Sequence, residues 1–193
     1  FVKVIRWFRR ESRLYGIWTD FMQKRFLRHH PPGADGVVLF LVPGLDEVNG
    51  GIMAIVHHAE ESRRLLDSRR TAVFLCTMPG HRALWRFTRF KNKSPIVPFG
   101  MLMDVLPSHR RAHINIPEVY VQEFAKNGFG LLAARGKAST SFNVMLQNID
   151  FAPDRFIISK YREYGEVTAT TAHKVYASKV GKILGCPAWH WSV

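Results

Sequence analysis

Cysteine is nearly absent from this chain, acidic residues are scarce and long apolar runs are missing. Only Cys76 and Cys186 occur, too few and too far apart for a disulfide framework or a zinc ribbon, so a reducing cytoplasm is the expected compartment. Val37 to Val42 is among the longest apolar stretches and falls far short of the roughly 18 residues of a membrane span. Neither G-x-G-x-x-G nor a Walker spacing is present, so neither of those phosphate-binding fingerprints can be claimed, and no cofactor is expected. The nine His residues are scattered, and the adjacent pairs His29-His30 and His57-His58 point in different directions on a helix. No metal site is expected. No solenoid-type repeat is visible.

What is present in excess is positive charge: 28 Lys and Arg against 15 Asp and Glu give +13, which favours anionic partners. Within residues 1–30, Arg6, Arg9, Arg10, Arg13, Lys24, Arg25 and Arg28 are interleaved with Trp7, Phe8, Trp18, Phe21 and Phe26. This composition predicts a basic amphipathic helical segment lying on an anionic membrane surface. The plainer reading is a helix packed on the domain with its basic face in water. A mitochondrial presequence is disfavoured by the few Ser residues.

The breaker cluster from Pro31 to Gly36 separates that segment from a core domain over residues 37–193. Strands are predicted at 37–42, 71–77, 95–99, 112–116, 140–146, 166–170 and from 188 onward. Helical patterns fall at 52–66, 101–106, 119–127, 155–164 and 171–184. The alternation predicts an α/β fold, a Rossmann-like, mostly parallel sheet with helices on both faces.

The stretch from Val37 to Leu66 reads as a buried strand, a glycine loop and an amphipathic helix. In an open α/β sheet such a loop lies at the carboxyl edge, where ligands bind, and Gly50 and Gly51 permit close approach. A plain strand-to-helix turn is the alternative. Two other strand ends carry polar groups, Glu118 after one and Gln147 with Asn148 after another, and these should converge near Asn49, Gly50 and Gly51. Carboxylate and amides at one rim suit a polyhydroxylated ligand, because they both accept from and donate to hydroxyls. Taken singly, Glu118 could favour a helix N-terminus and the Gln-Asn pair could cap the next turn.

Asn49-Gly50-Gly51, Pro117-Glu118-Val119-Tyr120, Gln147-Asn148 and Val167-Thr168-Ala169-Thr170-Thr171 together resemble the N-terminal, acceptor-side domain of GT-B-fold bacterial glycosyltransferases of polysaccharide assembly. The resemblance spans roughly residues 37–193. It implies a chain that is half of a longer enzyme, with a nucleotide-sugar donor held by a missing C-terminal domain and a glycan or lipid-linked acceptor held here. It further implies substrate-binding roles for Asn49, Gly50, Gly51, Gln147 and Asn148. In an inverting enzyme the general base is expected on this half, with Glu118, Asp46 and His81 the candidates by type. A buried His81 or a turn-shaping Asp46 is the plain alternative. The expected location is cytoplasmic, with a peripheral place on the inner face of the plasma membrane. The competing readings are a basic nucleic-acid-binding module, motivated by charge and by the Arg and aromatic residues from Arg82 to Lys93, and a non-catalytic membrane-associated module. No RRM, KH, zinc-finger or helix-turn-helix signature is present, so no specific nucleic-acid partner is expected.

Overall fold

The computed structural model describes residues 17–22, 24, 25, 36–43, 50–66, 71–78, 94, 96–101, 110–133 and 139–191. Residues 17–22, 24 and 25 are helical; the rest of the basic segment lies outside the described residues. From Gly36 onward the elements are β1 (Gly36–Val42), α1 (Gly50–Leu66), β2 (Thr71–Thr77), β3 (Ile96–Pro98), β4 (Arg111–Pro117), α2 (Val121–Leu132), β5 (Thr140–Leu146), α3 (Arg155–Arg162), β6 (Glu166–Thr171), α4 (Ala177–Leu184) and β7 (Ala188–His190).

The strands form one seven-stranded sheet in the order β3-β2-β1-β4-β5-β6-β7, and every pairing is parallel. The fold is Rossmann-like. Its chain path leaves β1 toward β2 and β3, then resumes at β4 on the other side of β1, so the topological switch point lies between β1 and β4. Every β1 residue is buried, as expected of a central parallel strand covered on both faces.

The two faces carry different cores. On one, Ile52, Ile55, Val56 and Ala59 of α1 pack with Val38, Phe40, Val73 and Leu75. On the other, Val121 and Phe124 of α2, Tyr161 of α3 and Val180 and Leu184 of α4 cover Leu39, Ile114, Phe142 and Ala169. Units running in opposite directions from β1 place their helices on opposite faces when each crossover is right-handed, which accounts for this division.

The largest departures from the sequence expectation fall at two element boundaries, and the helix expected over 101–106 lies outside the described residues from 102 onward. The helix expected from Thr171 begins only at Ala177, because Thr171 pairs with His190 and ends β6. The β-branched Val167, Thr168, Thr170 and Thr171 favour the pleated strand. The helix expected to stop near Asn127 continues through Gly128 and Gly130 to Leu132. At Gly128 a Cβ would stand 2.6 Å from the Phe124 ring, so the missing side chain makes room for the aromatic core and packing outweighs the poor helix propensity of glycine. Gly185, predicted to stop the last helix, does so with φ 65° in the left-handed region.

Candidate functional site at the carboxyl edge of the sheet

Parallel strands release their polar sequence ends at one edge, and that edge gathers Gly50, Gly51, Glu118, Gln147 and Asn148. Gly50 and Gly51 open α1, the helix that follows β1. Gln147 extends β5 on the α1 side and donates from Nε2 to the Gly51 carbonyl at 2.9 Å. A Cβ on Gly51 would overlap the Gln147 Oε1 atom, so the glycine is needed for this close approach. The bond ties the start of α1 to the end of β5.

Glu118 opens the 3-10 turn Glu118–Tyr120 directly after β4. Its side chain is 8% exposed. Oε1 accepts from the Asn148 backbone N–H at 3.3 Å, while Oε2 has no hydrogen-bond partner among the described residues. Burial pushes the Glu118 carboxyl above the ordinary carboxylate range, and the backbone N–H groups of Glu118, Gln147 and Asn148 hold it partly back down. Asn148 itself caps the 3-10 turn Ile149–Phe151, its Oδ1 accepting from the Asp150 N–H at 3.0 Å. The capping alternative therefore describes the Asn148 side chain, whereas its backbone serves Glu118.

Asp46, Asn49 and His81 lie outside the described residues. Among the described residues no group of His, Cys, Asp and Glu could hold a metal ion, and both cysteines are free and buried. No helix among them is long and apolar enough to cross a membrane.

Sequence reasoning missed two features. Thr77, at the carboxyl end of β2, is buried and its hydroxyl has no partner among the described residues. His58 of α1 packs its ring 4.6 Å from that of Trp191, and neither His58 Nε2 nor Trp191 Nε1 is hydrogen-bonded there. Nothing local in the sequence brings positions 58 and 191 together; the backbone N–H of Trp191 bonds to the Thr171 carbonyl at 3.0 Å, continuing the β6–β7 ladder by one rung.

At the switch-point edge the described residues thus hold a buried carboxylate whose Oε2 is itself buried and has no hydrogen-bond partner among them, flanked by an amide-to-glycine clamp. Such a group can accept a proton or a hydrogen bond from a hydroxyl. Compared with known proteins, the chain matches no family model, no curated protein and no solved structure.

Proposed function

We propose that this chain is the acceptor-side domain of a glycosyltransferase of the GT-B kind, acting with a donor-binding domain outside these 193 residues. The observation that carries the reading is Glu118: a buried carboxylate at the switch-point edge, raised in basicity by its surroundings and with Oε2 unpartnered among the described residues. A carboxyl whose pKa is raised is a stronger base than an ordinary exposed one. In an inverting transfer, Glu118 Oε2 takes the proton of an acceptor hydroxyl as that oxygen bonds to the anomeric carbon. The bond from that carbon to the nucleotide's phosphate breaks, and the leaving phosphate keeps the electron pair. Gln147 and Gly51 shape the adjoining rim. The basic residues within 1–30 would hold the protein on the inner face of the plasma membrane, near a lipid-linked acceptor.

The test is transfer of a labelled sugar by the full-length protein and by its Glu118→Gln variant. The variant should lose on the order of 100-fold or more in turnover, the usual size of general-base catalysis. Turnover near that of the unaltered enzyme would remove Glu118 from the reaction. Residues 1–193 alone should transfer nothing measurable, because positioning both substrates accounts for roughly 7–11 kcal/mol of such a barrier.

A further inference from the structure

The opposite edge of the sheet holds a cavity of about 1140 Å³ at the amino ends of β1, β2, β4, β5 and β6. That volume is on the scale of small-molecule sites, commonly about 300–1,000 Å³. Its lining mixes apolar residues with charged and polar ones. Arg111 begins β4, is exposed, and has no hydrogen bond or ion pair among the described residues. Arg162, at the end of α3, lines the same space and is held by a bond from Nη2 to the Gly185 carbonyl, its one hydrogen bond among the described residues. Deeper in, His113 Nδ1 and Ser141 Oγ stand 2.8 Å apart, and the Glu166 carboxylate is close enough to act on the His113 ring. Val38 contributes to the apolar flank.

We propose that this cavity is a second ligand site, taking a small phosphorylated polyol such as a sugar phosphate. Guanidinium forks suit the several oxygens of a phosphate, and Arg111 is the group free to supply one. The His113, Ser141 and Glu166 cluster offers both donors and acceptors, which hydroxyls require. Glu166 disfavours a bare dianion beside it, so the phosphate lies toward Arg111 and the hydroxyls toward Glu166. The site is on the edge opposite Glu118 and stands or falls independently of the transferase reading.

The experiment titrates glucose 1-phosphate and inorganic phosphate, separately, into the 193-residue chain by calorimetry, and into Arg111→Gln and Ser141→Ala. Glucose 1-phosphate should bind saturably. Arg111→Gln should weaken both probes by roughly 10- to 100-fold, the worth of a hydrogen bond to a charged group. Ser141→Ala should weaken glucose 1-phosphate several-fold and leave inorganic phosphate unchanged. Arg111 is exposed, so its variant should keep the native circular dichroism and thermal midpoint. Absence of saturable binding at millimolar concentration, or equal affinity for Arg111→Gln, would each overturn the proposal.

Discussion

The two faces of the sheet over β4, β5 and β6 are built from opposite chemistry. Facing α2, α3 and α4 are Ile114, Ile116, Phe142, Val144, Val167 and Ala169, all buried. Phe124 sits at their centre, its ring 5.9 Å from Phe99, 6.3 Å from Phe142 and 6.1 Å from Tyr161. The Tyr161 hydroxyl donates to the Val121 carbonyl at 2.6 Å, so even this buried phenol is satisfied. On the α1 side the same strands present His113 and Asn115, Ser141 and Asn143, then Glu166, Thr168 and Thr170. There Asn115 Nδ2 donates to the Leu39 carbonyl at 3.2 Å, and Asn143 Nδ2 donates to Asn115 Oδ1 at 2.9 Å and to Thr170 Oγ1 at 3.0 Å. One face gains its stability from area removed from water and the other spans four strands with side-chain hydrogen bonds. The second kind discriminates register more strongly, since a slip leaves buried amides unpaired.

Substitutions can break this contrast in a definite order. Phe124→Ala should cost the most, about 3–5 kcal/mol in chemical denaturation, because it empties the centre of the aromatic layer. Asn143→Ala should cost about 1–3 kcal/mol, since Asn115 Oδ1 loses its donor inside the sheet. A loss as large as that of Phe124→Ala would show that the amide ladder, rather than the apolar layer, dominates stability.

Gly51→Ala sharpens the contrast at the edge where the faces meet. The displaced Gln147 forfeits one hydrogen bond, about 0.5–1.5 kcal/mol, against about 0.5–1 kcal/mol gained from replacing a helical glycine. Stability should therefore change little, while transfer by the full-length protein falls. The smallest effect is a pH slope. The Glu118 carboxyl is raised in the folded state, so its favourable contribution is complete below the ordinary carboxylate range and is lost as pH rises through the folded value. Glu118→Gln removes that titration. The thermal midpoint of the unaltered chain should therefore fall relative to the variant on going from acid to neutral pH, and a constant difference would contradict the raised pKa.

Much of the architecture was legible in short windows. The uninterrupted apolar run marked β1 as a strand covered on both faces, because such a strand needs apolar residues at both parities. The i, i+3, i+4 spacing of Ile52, Ile55, Val56 and Ala59 marked the inner side of α1. Glu118, Gln147 and Asn148 could be assigned to one rim, since the ends of parallel strands share an edge. The end of β6 was misread because local helical spacing says nothing about a strand partner 19 residues away, as His190 is to Thr171.

By itself, then, the sequence determined the alternation of strands and helices, the parallel class of the sheet and the list of polar strand ends, all of them consequences of side-chain periodicity over a few residues. Only the tertiary structure decided that Gln147 clamps Gly51, that the Glu118 carboxylate meets the Asn148 N–H, that Asn115 and Asn143 share a ladder and that Trp191 reaches His58. Each of these joins residues dozens of positions apart, and their meeting depends on strand order and register, which no local pattern encodes.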